Sequence, residues 1–403
     1  MMMLNLALSA LWGVWGSAEA IPRPEHPRPD FRRERWVNLN GVWEFEFDPK
    51  NVGLQEQWAR TKREWSRTLR VPFPWQAPLS GVADVEYQGA AWYRRTFTVP
   101  PEWRGWRVFL RFGAVDWFAQ VWVNGDFVGE HEGGYSPFEF DITDFLREGQ
   151  QTLVVRAFDD TSPEQPNGKQ TGWYTRTGGI WQTVWLEARP STYLDRIHFV
   201  PLPGPPGQGQ VLAKVRLFAD RPGMARLRFE TEDPPEPPKQ WTAPLPAPQV
   251  FDLTYPAGFS EHTLLLRVPE PRLWHPETPY LYFVRVTLEP MAGRMDTVLG
   301  MDVVHTYFGL RTVGVGQFAG QDFTFIALNG KPLYLLGALD QAFHPEGIYT
   351  YPSEEVLRGD LERAKEFGLN FLRIHIKVDE PRFLYWADRL GVALMCDMPN
   401  FQT

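Results

Sequence analysis

Apolar and polar residues alternate in many short segments over the first three-quarters of the chain. Within Val42–Asp48 the aromatic residues Trp43, Phe45 and Phe47 alternate with acidic residues. A period of two predicts an antiparallel strand with one buried face and one solvated face. The Asn124-Gly125 pair lies between two apolar segments and predicts a hairpin turn.

Other short segments with strand character repeat at similar spacing, without a convincing helix among them. In residues 21–190 they are Trp92–Val99, Arg107–Phe112, Trp117–Val123, Leu153–Ala157 and Thr183–Leu186. They predict an all-β jelly-roll sandwich. In residues 191–309 they are Val211–Phe218, Ala225–Thr231, His262–Val268 and Tyr280–Leu288. They predict a smaller, immunoglobulin-like β-sandwich.

The pattern changes after Phe308-Gly309-Leu310-Arg311. A strand is predicted within Leu328–Gln341, with Tyr334-Leu335-Leu336 as its apolar core, and two more are predicted at Phe371–Ile376 and Val392–Met398. Helical segments separate the three. Buried strands that alternate with helices are typical of a parallel α/β barrel, so residues 310–403 predict the first three βα segments of an incomplete (β/α)8 TIM barrel.

The first helix carries its own start and stop signals. Ser353 can cap its amino terminus, Leu357, Leu361 and Ala364 recur on one face, and Gly368 ends it.

Burial is also predicted near the end of the chain. In the second helix, Glu380–Leu390, the spacing favours burial of Leu384 and Ala387. Cys396 lies in an apolar strand, which predicts a buried thiol.

Composition excludes several classes of protein. The formal net charge of −8 lacks the basic footprint of a nucleic-acid binder. A single cysteine excludes an internal disulfide framework. The eight histidines show no metal-ligand spacing, and Glu130-His131-Glu132 is interpreted as a polar strand edge, so neither a metal nor another cofactor is expected. No segment after the amino terminus approaches the roughly 18 apolar residues of a membrane span. A homo-oligomer is compatible with the sequence.

Residues 1–20 leave two interpretations open. Leu4–Val14 is apolar and Ala18-Glu19-Ala20 has the form of a cleavage site, which favours a signal peptide and an extracellular or periplasmic protein. The first 22 residues contain no Lys or Arg, which favours an ordinary extension or a misassigned start and a cytoplasmic protein.

Three blocks of sequence resemble glycoside hydrolase family 2, which includes β-galactosidases, β-glucuronidases and β-mannosidases. The first comprises Asn38–Trp43, Trp122–Gly125, Gly129–Tyr135 and Phe138–Thr143, the second is Gly178–Glu187, and the third joins Phe308–Arg311 to Leu328–Pro332. Their order and spacing together are specific. The resemblance spans about Pro22 to Asn400.

The resemblance implies a sugar-binding jelly roll and an immunoglobulin-like domain before a catalytic barrel. In such enzymes one Glu after strand four is the acid/base and one after strand seven is the nucleophile, and terminal β-O-glycosidic bonds are hydrolysed with retention. This sequence stops before strand four. We therefore expect no catalytic residue in it, no activity of the chain alone, and an exposed apolar face on its three barrel strands. The helical glutamates are expected to be solvated charges.

The sequence departs from the family pattern at the strand ends. Asp340-Gln341-Ala342 stands where Arg-His-Glu is frequent, the histidine of Arg373-Ile374-His375 falls one position early, and Asp397-Met398 lacks the usual Glu. The sugar-binding Asp of some β-galactosidases has no counterpart among Trp173, Tyr174 and Thr175. The missing Asp puts strict lactose-type specificity in doubt.

Five polar residues follow or end the predicted barrel strands: Asp340, Gln341, Arg373, His375 and Asp397. The carboxyl ends of barrel strands are the ligand face, so these residues are predicted to bind a carbohydrate substrate. Two alternatives stay open. Arg373 and Asp397 could form a buried ion pair, and His375 could be a core imidazole.

Trp173, in a Gly-rich loop, is the sixth predicted substrate-binding residue. Trp122, Trp181 and Trp185 lie within apolar strands and are predicted to be in the core. The abundance of tryptophan, 18 in all, also allows a second function, a non-catalytic, lectin-like carbohydrate-binding protein.

Overall fold

The computed structural model describes residues 20–160, 162, 168–169, 173–202, 207–237, 239–291, 300–317, 320 and 322–399. The predicted leader, except Ala20, lies outside these residues. Within the described ranges, the helices are all too short or too polar to cross a membrane.

The first part of the chain is a β-sandwich. Its strands are β1 Trp36–Asn38, β2 Gly41–Asp48, β3 Arg67–Val71, β4 Gly89–Thr98, β5 Arg107–Phe112, β6 Val115–Asp116, β7 Phe118–Val123, β8 Asp126–Glu132, β9 Phe138–Asp141, β10 Gln150–Asp159, β11 Gly179–Ile180 and β12 Val184–Arg189. Short 3-10 helices are at Pro78–Ser80, Pro101–Trp103 and Thr143–Phe145. A six-stranded antiparallel sheet (β3-β2-β4-β10-β7-β8) faces a four-stranded one (β1-β12-β5-β9), and β6 pairs with β11.

The alternation of residues in β2 buries one face of the strand, as predicted. Trp43, Phe45 and Phe47 are buried in a core that both sheets share. Burying three aromatic side chains gives this strand a large hydrophobic contribution. The predicted hairpin joins β7 to β8, with Asn124 and Gly125 both at positive φ, as a tight hairpin turn requires.

A second sandwich follows. Its strands are β13 Thr192–Leu202, β14 Gln208–Ala219, β15 Gly223–Thr231, β16 Gln249–Tyr255, β17 Gly258–Pro269, β18 Trp274–His275, β19 Thr278–Pro279, β20 Tyr282–Pro290 and β21 Asp302–Phe308. The sheet β13-β14-β17 faces the sheet β16-β15-β20-β21, and β18 pairs with β19. Val215, Leu227 and Val286 are among the buried residues between the two larger sheets. Every strand predicted in residues 191–309 overlaps an observed one.

The last part contains parallel strands and helices. After a small antiparallel sheet of β22 Val313–Gln317, β23 Thr324–Leu328 and β24 Lys331–Pro332, the elements are β25 Gly337–Asp340, α1 Glu354–Glu366, β26 Phe371–Ile374, α2 Pro381–Leu390 and β27 Ala393–Cys396. The three strands β25, β26 and β27 form one parallel sheet in sequence order. Two consecutive strand–helix–strand units are therefore present.

The predicted strand core Tyr334-Leu335-Leu336 is wrong, because the parallel strand begins only at Gly337. The Asn370 side chain hydrogen-bonds to Tyr334 O and Leu336 N, each at 2.9 Å, so it takes the place of ladder bonds there. At Gly337 the pairing starts opposite Phe371, where an added Cβ would lie 2.4 Å from the Phe371 ring. Only a glycine allows that close approach.

The two helices cover one face of the parallel sheet. The Ser353 hydroxyl accepts a hydrogen bond from Val356 N at 3.3 Å, so the predicted cap is confirmed. Leu357 and Leu361 of α1 pack with Leu372 of β26 in one apolar core. Leu384 of α2, predicted to be buried, is 39% exposed, since the α2 face that packs inward carries other side chains.

The opposite face of the parallel sheet is open among the described residues. Leu339, Arg373 and Met395 stand side by side on it, and Leu339 and Met395 are each about half exposed. Cys396 is also exposed, which corrects the prediction of a buried thiol. It ends β27, which is an edge strand within the described sheet, where the described chain leaves its side chain uncovered.

Ion pairs join the parts of the molecule. Arg33 links Glu187 of the first sandwich to Asp302 of the second, at 2.6 and 2.8 Å. Glu380, expected as a solvated charge, is paired with Arg23 at 2.7 Å and holds the amino-terminal segment on the start of α2.

Candidate functional site

The carboxyl ends of the parallel strands bring the five predicted residues to one edge. Asp340 is in register with Ile374 of β26, and the hydrogen bonds His375 N–Asp340 O and Asp397 N–Ile374 O, both 2.9 Å, continue the pairing past the strands. We call Asp340, Gln341, Arg373, His375 and Asp397 the strand-end cluster.

Arg373 and Asp397 form an ion pair within this cluster. Nη2 of Arg373 lies 2.8 Å from Oδ2 of Asp397, and Nε donates to Oδ1 at 3.2 Å. The side chains are 46% and 20% exposed, so the pair is partly solvated rather than buried. Hydrogen bonding to Arg373, and its charge, lower the pKa of Asp397 below its usual value. Asp397 is therefore a carboxylate near neutral pH, suited to accept hydrogen bonds.

Gln341 and His375 form the second pair of the cluster. The His375 Nδ1 atom lies 3.0 Å from Gln341 Oε1, and His375 is half-buried rather than a core imidazole. Burial lowers the pKa of His375, and the positive charge of Lys169 lowers it further. Asp340 accepts a hydrogen bond from Ala342 N at 2.7 Å, which fixes the turn after β25.

Lys169 is a member of this site that sequence reasoning missed. It belongs to the loop between β10 and β11 of the first sandwich, yet its buried Nζ donates to the backbone carbonyls of Gln341 and His375. Burial and the nearby Lys377 ammonium lower the pKa of Lys169 to about 8. The local signal was a lysine in a Gly-rich loop. The partners are more than 170 residues away in sequence, so no local pattern could identify them.

Trp173, the sixth predicted residue, belongs to the same loop between β10 and β11 and is 82% exposed. Its neighbour Tyr174 packs against Phe343 of the last part, with ring centroids 5.1 Å apart. The structure thus leaves the Trp173 ring accessible. Trp181 and Trp185 are buried as predicted, whereas Trp122 is only partly buried and stacks on Trp92.

A buried lysine, Lys377, fixes the segments behind the cluster. Its Nζ donates to Ala342 O at 3.1 Å and to Tyr349 O at 2.9 Å, and it lies 3.3 Å from Asp379 Oδ1. It also lies 5.6 Å from the Trp181 ring centroid, within cation–π distance. These three oxygen atoms can occupy all three N–H donors of the ammonium. Lys377 therefore fixes the strand ends relative to the first sandwich.

Two carboxyl groups, those of Asp116 and Asp159, are buried in the first sandwich. Burial raises the pKa of Asp116 well above its usual value and that of Asp159 to about 8, and repulsion from neighbouring carboxylates adds to this. Among the described residues, Oδ2 of Asp116 and Oδ1 of Asp159 have no hydrogen-bond partner. Such a pair retains a proton at neutral pH.

Metal-ligand geometry is missing from the described ranges, where three or more His, Cys, Asp or Glu side chains nowhere converge. Glu130-His131-Glu132 lies in β8 at the edge of the six-stranded sheet, and His131 Nε2 is 3.1 Å from the Ser136 hydroxyl.

Two cavities lie away from the strand-end cluster. One of about 540 Å³ opens beside Leu335, Phe371 and Leu394, and its charged lining residues, Arg311 and Asp388, neutralise each other at 2.8 Å. Another of about 440 Å³ lies between the two sandwiches. The apolar lining of the larger cavity suits structural packing better than recognition of hydroxyl groups.

Two family sequence profiles match the chain. The profile described as "Glycosyl hydrolases family 2, sugar binding domain" matches residues 36–190, and the profile described as "Glycosyl hydrolases family 2" matches residues 194–311. The matched ranges coincide with the two sandwiches.

Relatives and solved structures agree with the profiles. The chain is 27% identical over 370 residues to a beta-galactosidase of Thermoanaerobacter pseudethanolicus, covering 91% of this chain and 45% of the relative. It is 29% identical over 421 residues to a beta-glucuronidase of Felis catus, covering 93% and 58%. The crystal structure of a Bacteroides uniformis beta-glucuronidase superposes with a TM-score of 0.73 at 26% identity, covering 91% of this chain and 42% of that one. The chain thus spans about half the length of these proteins.

Proposed function

The chain belongs to glycosyl hydrolases family 2, and we propose that it is the amino-terminal portion of a retaining β-glycosidase. In this proposal residues 21–190 are the jelly-roll sugar-binding domain, residues 191–309 the immunoglobulin-like domain and residues 310–403 the first three βα segments of a TIM barrel. The whole protein hydrolyses terminal β-O-glycosidic bonds. The beta-glucuronidases and beta-galactosidase among its relatives support this class of substrate.

The observation that carries the proposal is the position of the strand-end cluster. Its residues lie at the carboxyl edge of three parallel strands, where barrel enzymes bind their ligands. A loop of the first sandwich, carrying Lys169, reaches this same edge. Two domains therefore meet at the place where substrate is expected.

Each side chain of the cluster has a property suited to sugar recognition. The Asp397 carboxylate accepts hydrogen bonds from hydroxyl groups and is held by Arg373. Gln341 and His375 add an amide and an imidazole, and Asp340 adds a carboxylate. The accessible Trp173 ring offers an apolar surface on which the C–H face of a pyranose can pack.

The spacing of Asp340 and Asp397 does not suit the catalytic pair of a retaining enzyme. Asp340 and Asp397 follow the two outer strands of the sheet, so two strand spacings, about 9–10 Å, separate their backbones. Retaining hydrolysis uses carboxyl groups about 5–5.5 Å apart, one of them protonated. The lowered pKa of Asp397 is the opposite of what an acid catalyst requires. We therefore expect the chain alone to be inactive.

The test is an assay of the purified chain on chromogenic β-galactoside, β-glucuronide and β-mannoside. The expected result is no turnover of any of the three. Turnover that persists through purification and disappears in Asp397→Asn would overturn the expected inactivity. The Asp397→Asn preparation is also the control for contaminating glycosidases, because a contaminant would be unaffected by the substitution.

The open face of the parallel sheet supports the same proposal. In a closed barrel, further strands cover the face on which Leu339 and Met395 lie. In the chain alone, this face should bind a dye that reports exposed apolar surface, and Leu339→Gln with Met395→Gln should reduce the signal. A chain with no dye binding would contradict the proposed arrangement.

The exposure of Trp173 favours a second candidate function, carbohydrate binding without catalysis. A lectin-like protein would bind glycans through this ring, independently of the strand-end cluster. Glycan-array binding that is lost in Trp173→Ala but retained in His375→Ala would favour this candidate. Loss in both variants would favour the glycosidase site.

A further inference from the structure

Lys169 connects two domains by donating hydrogen bonds to backbone carbonyl groups that strands normally leave unpaired. Carbonyl groups beyond the carboxyl end of a parallel strand have no ladder partner unless another group supplies a donor. Nζ of Lys169 donates to two of them, Gln341 O and His375 O. The lysine thus bridges the chain after β25 to the chain after β26, and it places a positive charge beside the backbone of His375.

The hydrogen bond to Gln341 defines the state of the His375 ring. With the Gln341 amide oriented so that Oε1 faces the ring, this oxygen accepts, and Nδ1 of His375, 3.0 Å away, carries the hydrogen. In the neutral ring Nε2 is then an acceptor. Within the described part of the chain no residue hydrogen-bonds to Nε2, so this lone pair is available to a ligand at the strand-end cluster.

The charges around His375 come from three elements. They are Lys169 from the sandwich loop, Arg373 from β26 and Asp397 after β27. Asp397 is engaged with Arg373 at 2.8 Å, so these two largely offset each other. After burial, the ammonium of Lys169 has the largest effect on the His375 ring, and it disfavours protonation of that ring.

We propose that Lys169 is a positioning residue that keeps the His375 imidazole neutral while Gln341 holds the ring in its Nδ1–H form, so that Nε2 accepts a hydrogen bond from a sugar hydroxyl. The proposal rests on the proposed function and extends it to a residue outside the barrel segment. It assigns the loop of the sugar-binding domain a part in substrate recognition, through electrostatics rather than direct contact.

The proposal predicts how recognition depends on pH. With a pKa of about 8, Lys169 is about nine-tenths protonated at pH 7. Its charge then lowers the pKa of His375, and the acceptor at Nε2 persists into weakly acidic solution. Without that charge, His375 would protonate at higher pH, and Nε2–H would become a donor that repels a hydroxyl hydrogen.

The test is NMR of the full chain with isotope-labelled histidine. The resonances of His375 are assigned from their disappearance in His375→Gln. In the unaltered chain, His375 should titrate below the ordinary pKa of about 6.5, and its nitrogen shifts at pH 7.5 should show protonated Nδ1 and unprotonated Nε2. This measurement needs no variant at position 169, and a ring protonated at Nε2 would overturn the proposal.

Two substitutions separate the charge from the packing of Lys169. Lys169→Gln keeps a hydrogen-bond donor but removes the charge, and it should raise the pKa of His375 by about 0.5–1. Lys169→Arg keeps the charge and should leave that pKa near the value of the unaltered chain. A pKa of His375 that is the same in all three proteins would overturn the role of Lys169, because a purely structural lysine would not change it.

A binding arm distinguishes this inference from the proposed function. The affinity for methyl β-galactoside, β-glucuronide and β-mannoside is measured between pH 5 and 8. For the sugar that binds, affinity should fall as the pH is lowered. This fall should begin at a higher pH in Lys169→Gln than in the unaltered chain. Failure of all three sugars to bind the unaltered chain would contradict the proposed function. If affinity is instead lost at the same pH in Lys169→Gln and in the unaltered chain, the inference is contradicted.

Discussion

Removal of the Arg33 side chain should be among the most destabilising single changes in this protein. Arg33, Glu187 and Asp302 are each at most 2% exposed, so all three charges are out of water. The guanidinium donates to Glu187 Oε1 at 2.6 Å, to both oxygens of Asp302 at 2.8 Å and to Leu194 O at 2.5 Å. Arg33→Met keeps the length of the side chain and removes all four bonds.

The loss of stability in Arg33→Met depends on the hydrogen bonds and ion pairs that Glu187 and Asp302 keep after the substitution. Glu187 still has Arg111 at 2.9 Å and Arg189 at 2.7 Å. Asp302 retains a backbone donor, Leu194 N at 2.7 Å, but no other recorded ion pair in the described ranges. Leaving one buried charge without its partner costs about 3–5 kcal/mol. We therefore expect Arg33→Met to lower the free energy of unfolding by that amount.

The assay is urea-induced unfolding at pH 7, followed by tryptophan fluorescence and far-UV circular dichroism. The matched control is Arg147→Met, because the Arg147–Asp126 pair is 62% and 53% exposed and should contribute less than about 1 kcal/mol. Combining Arg33→Met with Asp302→Asn should recover much of the loss, since the buried charge is then gone. A loss in Arg33→Met no larger than that of the control would refute the reasoning.

Three further predictions concern single side chains. Ser353→Ala removes the cap of α1 and should cost about 1 kcal/mol in the same urea assay; an unchanged midpoint would contradict the capping role. Asp159 has its pKa raised from 3.8 to about 8, so the folded state binds more protons than the unfolded state between these values and stability falls as pH rises. Asp159→Asn should therefore flatten this slope between pH 4 and 8, and an unaltered slope would show that the carboxyl is not protonated. Trp173→Ala should leave thermal stability within about 0.5 kcal/mol of the unaltered chain because the ring is 82% exposed, and a larger loss would mean that the ring packs on the protein.

Local patterns in the sequence predict those elements whose formation depends on neighbouring residues. The alternation of Trp43, Phe45 and Phe47 predicts β2, and the cap at Ser353 predicts the start of α1. The common location of the five strand-end residues could be predicted because strand ends can be located from apolar segments, and parallel pairing brings those ends together.

Errors arose where a distant contact changes the outcome. Tyr334-Leu335-Leu336 has the apolar character of a strand, but Asn370 satisfies its backbone and the ladder begins at Gly337. Cys396 has an apolar neighbourhood in sequence but stands at the end of an edge strand. Burial of these positions depends on which element packs over them, and a single sequence does not contain that information.

The residues that were missed are long-range polar contacts. Lys169 and Arg33 reach partners more than 150 residues away, and neither has a local signal beyond its charge. Flexible cationic side chains have many possible partners, so their positions follow from the folded arrangement of domains rather than from spacing.

The central claim is that sugar binds at the strand-end cluster, and saturation-transfer NMR with methyl β-glycosides tests it most directly. The account predicts signal transfer from the unaltered chain to at least one of the β-galactoside, β-glucuronide and β-mannoside. The signal should be abolished in His375→Ala and in Asp397→Asn and retained in Arg147→Met. A signal that survives in both cluster variants, or no signal with any of the three sugars, would contradict the account.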